Sequence, residues 1–235
     1  MSALPALRAQ LHALADPGVA AHARRFFKTG PGEYGAGDRF LGVRVPALRK
    51  LARAGRGLAD DDVRALLESP FHEERLLALL LLVEAFQRGD EARRKAVYRL
   101  YLASLDHVDN WDLVDSSASQ IVGAYLADRP RAPLYRLARS RDLWRRRVAV
   151  IATLHFIRLR QFDDTLAIAE LLLADREDLI HKAVGWMLRE VGNRDRAAAE
   201  RFLRAHHATM PRTMLRYAIE KFPPALRQRY LRGEM

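Results

Sequence analysis

Cysteine is absent from all 235 residues. That excludes disulfides, thiolate zinc centres and cysteine-ligated iron–sulfur clusters, and fits a reducing, cytoplasmic setting. Long apolar runs are missing as well. Leu76–Val83 is too short to span a bilayer, and Met1–Ala15 carries Arg8 inside its apolar pattern, unlike a secretion signal, so no membrane association is expected. Lysine is scarce: it occurs only at 28, 50, 95, 182 and 221, and the other 35 of the 40 basic residues are arginine. Against 29 acidic residues this leaves a net charge of +11, which favours a polyanionic partner such as nucleic acid. An apolar content of 49% suffices for a real core, and one domain over 1–235 is expected.

No segment alternates as a strand. Apolar residues recur at helical spacing almost throughout, with breaks at Gly, Pro and Asp, so the chain reads as all-α. Predicted helices include 72–88, 110–126, 142–160, 178–191 and 212–221, and the helices group into antiparallel pairs. The pairs carry a period, because Arg75, Trp111, Arg147 and Lys182 follow one another at intervals of 36, 36 and 35 residues. Helical pairs of that length stack into a HEAT-like helical-repeat solenoid, whose equivalent positions line one concave face. Here that face is expected to be basic, a track of Arg75, Trp111 with Asp115, Arg147, and Lys182 with Trp186.

Within Asn110-Trp111-Asp112-Leu113-Val114-Asp115, the indole and the second carboxylate stand four residues apart, on one side of a helix and one turn from each other. A ring face attracts positive charge through its quadrupole and a carboxylate attracts it by Coulomb's law, so the pair suits a cationic substrate or one that develops a cation. Trp186, four residues after Lys182, adds a second indole to the same track. Other signals are weaker. Gly30-Pro-Gly-Glu-Tyr-Gly35 has the spacing of a dinucleotide-binding turn but no strand before it, and reads as a loop. His206 and His207 diverge on a helix and find no third ligand at metalloprotease spacing, so no metal is expected. His155 reads as a packing residue, and Asp106, Asp109 and Asp112 as carboxylates favouring a helix N-terminus.

Five segments together resemble the DNA alkylation repair glycosylases of the HEAT-like fold, the AlkD family. They are Phe40-Leu-Gly-Val-Arg-Val-Pro46 with Leu48-Arg-Lys-Leu51, His72-Glu-Glu-Arg-Leu-Leu-Ala78, Asn110–Asp115, Trp144-Arg-Arg-Arg147, and His181-Lys-Ala-Val-Gly-Trp-Met-Leu-Arg-Glu190. The resemblance covers nearly the whole chain. It implies that Asp115 is the catalytic carboxylate, that Trp111 and Trp186 face the lesion, and that Arg147 contacts the DNA backbone, with Lys182, Arg146 and Arg189 as further backbone contacts. It also implies a monofunctional glycosylase needing no cofactor, a monomer that releases cationic N3- or N7-alkylated purines from double-stranded DNA. Two other readings stay open at this point: a non-catalytic module binding DNA or RNA through the same basic face, and a scaffold whose basic face meets an acidic protein.

Overall fold

Helix starts follow from local chemistry. The computed structural model describes residues 3–235, and its helices begin where capping side chains and prolines put them. Asp16 accepts hydrogen bonds from Gly18 N and Val19 N at 2.8 and 3.1 Å and opens α2 (Pro17–Phe26) with proline at its first position. Asp90, Asp142 and Asp195 cap α6 (Glu91–Ala103), α10 (Leu143–Ala152) and α14 (Arg196–His206) in the same way. Three consecutive aspartates, Asp60, Asp61 and Asp62, form the first turn of α4 (Asp60–Leu67), where the helix dipole favours them. Among the described residues there is no strand, only an isolated parallel bridge between Arg39 and Phe71. The chain is all-helical, as its periodicity implies, with helices joined by short turns in the manner of a helical-repeat protein.

Backbone contacts divide the chain into two compact units, 1–121 and 122–235. In the first, α5 (His72–Arg88) is central and packs against α3 (Val45–Ala54), α4, α6 and the short α7 (Trp111–Asp115). Its run Leu76–Leu82 is buried all round, which explains why this helix is apolar on every side rather than along a stripe. α1 (Leu4–His12) leans on α3. After a π-helical turn (Ser119–Gly123), the second unit continues with α8 (Ala124–Leu126) and α9 (Ala132–Ala138). There α13 (Asp178–Gly192) packs against α15 (Arg212–Ala218), α14 and α10. α11 (Leu154–Arg158), α12 (Asp163–Leu171) and α16 (Pro224–Arg232) complete this unit. No helix of the described residues is long and apolar enough to cross a membrane.

Two predicted helices are broken. The segment expected as 110–126 stops at Asp115, because Ser116 and Ser117 donate their hydroxyls to the Leu113 carbonyl at 3.3 and 2.6 Å and compete with backbone amides for that acceptor. The segment expected as 142–160 breaks at Thr153, whose hydroxyl donates to the Val150 carbonyl at 2.7 Å. The N-terminal stretch Met1–Ala15 is helical over Leu4–His12, while Met1 and Ser2 lie outside the described residues.

Candidate active site

The Trp111–Asp115 helix is a single turn with an inward and an outward side. Asn110, fully buried and extended (φ −145°, ψ 156°), caps it by accepting from Trp111 N at 2.8 Å. Leu113 and Val114 point into the core with no exposure, which leaves Trp111, Asp112 and Asp115 on the partly exposed side. Asp115 is therefore solvent-accessible. Its charge still reaches the interior: the wholly buried Tyr101 hydroxyl is pushed up, first by burial and further by the Asp115 carboxylate, against the hydrogen bond to Ser117.

Trp111 is braced by rings that the sequence reading did not single out. Its indole stacks on Phe27 (centroids 5.3 Å, planes 21°) and meets the edge of Phe26 at 5.7 Å. Phe27 stacks on Phe40 at 5.1 Å, and Phe40 on His72 at 4.6 Å, so four rings form a ladder from Trp111 to His72. Such stacks fix ring planes and contribute about 0.5–1.5 kcal/mol per pair beyond burial. Phe26 itself is 56% exposed. The adjacent pair Phe26-Phe27 at a helix end was the signal available in the sequence.

Behind the ladder lies a buried ionic network. The His72 ring holds Asp38 Oδ2 at Nδ1 and Asp112 Oδ2 at Nε2, both at 2.8 Å. Arg75 holds Asp38 Oδ1 at 2.8 Å and Asp109 at 3.2 Å. Burial alone would lower the His72 pKa, but its hydrogen bonds to Asp112 and Asp38 outweigh that and push it up to about 9. Burial would likewise raise the Asp38 pKa, and His72 and Arg75 hold it below the usual carboxylate range. These contacts correct two expectations. Arg75 is not a cation on an open face: it is 6% exposed and committed to carboxylates. Asp109 and Asp112 do more than favour a helix start, since they tie that start to Arg75 and His72.

The neighbouring loop explains the Phe40–Pro46 motif. The Glu73 carboxylate, itself buried, accepts from Leu41 N, Gly42 N and Val43 N at 2.8, 2.7 and 3.2 Å. Gly42 has a φ of +85°, and a Cβ there would stand 2.1 Å from the Asp16 carbonyl oxygen, so only glycine fits. Gly30–Gly35 is a loop, as expected, with Glu33 accepting from Gly30 N at 2.8 Å.

In the second unit, α10 and α13 carry the remaining candidates. Arg147 is 5% exposed and donates to the Leu179 carbonyl at 2.6 Å. Arg146 grips Asp175 from Nε and Nη2 at 2.7 and 3.4 Å and donates to the Ser140 and Arg141 carbonyls, in a pair only 13% and 6% exposed. A charge buried that far needs its partners, so Arg146 holds the Asp175 turn in place, and the expectation of a phosphate contact there is corrected. Lys182 pairs with Asp178 at 2.7 Å, a contact 40% and 58% exposed, and Arg189 pairs with Glu220. Exposed pairs of this kind are worth about 0–1 kcal/mol and exchange readily for a phosphate. Trp186 is partly exposed and donates its indole N–H to Glu190 at 3.3 Å. Beneath it, Gly185 admits α15: a Cβ there would meet the Met214 carbonyl and Tyr217 Cβ, each at 2.5 Å. His155 is half-buried, with its pKa lowered first by burial.

The structure thus joins Trp111 to Asp115 on α7, and Lys182, Trp186 and Arg189 on α13. A sequence model of the family described as "DNA alkylation repair enzyme" matches residues 7–222. The chain belongs to the DNA alkylation repair enzyme family. Among solved structures, "Predicted DNA alkylation repair enzyme from Enterococcus faecalis" shares its fold, with a TM-score of 0.69 at 18% identity over 89% of this chain and 97% of that one. No curated protein matches. Family membership places the protein in alkylation repair, with DNA as substrate.

Proposed function

We propose that this DNA alkylation repair enzyme is a monofunctional glycosylase that hydrolyses the N-glycosidic bond of cationic N3- or N7-alkylated purines. It acts on double-stranded DNA as a cytoplasmic monomer, without a cofactor. The observation that carries this reading is the solvent-accessible pairing of Asp115 with a ladder-braced Trp111 on one helical turn. An alkylated purine is positively charged and leaves as a neutral base, so the second carboxylic acid of ordinary glycoside hydrolysis is dispensable. What the reaction lacks is stabilisation of the oxocarbenium-like sugar and a placed water. Asp115 supplies both, and preorganised charge of this kind contributes on the order of 3–4 kcal/mol to the barrier.

Trp111 and Trp186 each add about 0.5–2 kcal/mol of cation–π attraction, which rewards a charged lesion over a neutral base. Lys182 and Arg189 trade their exposed carboxylate partners for phosphates, while the buried Arg147, expected as a direct backbone contact, acts instead through the Leu179 carbonyl that it holds at the start of α13.

The test is incubation of the protein with methylated DNA and identification of the freed bases by mass spectrometry. N3-methyladenine or N7-methylguanine should appear, and Asp115→Asn should slow release about 10²–10³-fold while DNA binding persists. Equal rates for Asp115→Asn and wild type would overturn the assignment. Binding without any freed base would favour a non-catalytic module instead.

A further inference from the structure

We propose that His72 is a positioning residue: by gripping Asp112 with one ring nitrogen and Asp38 with the other, it sets the pose of α7 and with it the aim of Trp111 and Asp115. The inference rests on the glycosylase reading only for its catalytic consequence. A helix of five residues cannot hold itself together, since nucleation costs more than one or two internal hydrogen bonds return. Its pose comes from elsewhere. Leu113 and Val114 anchor the inward side, and three side chains just before or within the first turn run to one hub: Asp109 to Arg75, Asn110 Nδ2 to Asp38 at 3.5 Å, and Asp112 to His72.

His72 meets α7 by two routes. One is the direct bond to Asp112; the other is the ring ladder through Phe40 and Phe27 to Trp111. The His72 ring also meets Phe27 directly, with centroids 4.9 Å apart. The ring is 2% exposed, so its charge depends on its partners. The charged groups facing it are Asp38 from the preceding loop, Asp112 from α7, Arg75 from its own helix, and Asp109 beyond Arg75. Glu73 and Glu74 turn elsewhere, to the Leu41–Val43 amides and to Arg8 and His12.

With His72 protonated, two cations face three carboxylates. Removing that proton leaves Arg75 alone against three and turns one donor nitrogen into a lone pair aimed at a carboxylate. Asp112 is the more exposed partner, 17% against 6% for Asp38, so the α7 end lets go first.

The experiment uses protein labelled with 5-fluorotryptophan, with the Trp111 ¹⁹F resonance assigned by Trp111→Phe, and single-turnover base release from N7-methylguanine DNA between pH 6 and 10. In wild type the Trp111 resonance should move with a midpoint near pH 9, and base release should fall over the same range. Asp112→Asn keeps an acceptor but removes a charge, so both midpoints should drop by a unit or more. His72→Gln should cut single-turnover release at least tenfold at pH 7, with DNA affinity within threefold of wild type. A Trp111 resonance that stays fixed from pH 7 to 10 would overturn the proposal, as would a His72→Gln variant matching wild type in both readouts. If the resonance titrates and shifts in Asp112→Asn but no protein releases base, the positioning role stands and the glycosylase reading falls.

Discussion

Replacing Glu73 with alanine tests whether the buried carboxylate organises the N-terminal unit. Its two oxygens take three backbone N–H groups, from Leu41, Gly42 and Val43, at 2.8, 2.7 and 3.2 Å in a site closed to solvent. A hydrogen bond to a charged group contributes about 1.5–3 kcal/mol, and stranding a buried donor costs about 1–3 kcal/mol. Three bonds sharing one carboxylate do not add in full, so a loss of about 3–5 kcal/mol is expected, a large part of a domain's stability of about 5–15 kcal/mol. With a urea slope of about 2 kcal/mol/M, the midpoint of this unit should fall by about 1.5–2.5 M. Circular dichroism and tryptophan fluorescence during urea unfolding read this directly. Glu84→Ala is the control, because the Arg56–Glu84 pair at 2.7 Å is 39% and 24% exposed and should cost no more than about 1 kcal/mol. A Glu73→Ala midpoint indistinguishable from that control would refute the reasoning.

Gly185→Ala drives a methyl group into the Met214 carbonyl and Tyr217 Cβ, so it should lower the melting temperature of the C-terminal unit by an overpacking cost of about 1–3 kcal/mol, checked by calorimetry. The His72 pKa of about 9 lies above its unfolded value of 6.5. Its stabilisation is therefore complete below pH 6.5 and lost as pH rises through 9, on the order of 3 kcal/mol in urea melts across that window, and His72→Gln should flatten the dependence. Lys182→Ala should lower the slope of log Kd against log salt for DNA by about one, measured by fluorescence anisotropy, whereas Arg146→Ala should leave that slope unchanged and lower stability instead.

The fold was legible in the sequence because helix-forming information is local: apolar periodicity, aspartate caps and the prolines at helix starts sit within a few residues of what they determine. The breaks at Ser116 and Thr153 were not, because a hydroxyl turned back onto a carbonyl looks the same in sequence as one facing solvent. At the candidate site, the spacing of Trp111 and Asp115 placed both on one turn. The repeat of basic residues was misleading about their exposure. Arg75 and Arg147 open equivalent helices yet point inward, because their partners Asp38 and the Leu179 carbonyl come from segments 37 and 32 residues away. The Asp38–His72–Asp112 chain was invisible for the same reason: its members are 34 and 40 residues apart, and only the fold brings them together.

Four consecutive ionisable residues, His72 to Arg75, open α5, and each is buried with a different set of partners. Hydrocarbon side chains would fill the same space and tolerate a helix turned by 100° or slid by one residue. Charged ones do not: any such slip sets carboxylate against carboxylate or strands a guanidinium in the dry interior. The first turn of α5 works as a key cut for one lock, trading free energy for a single permitted alignment of the helices around it.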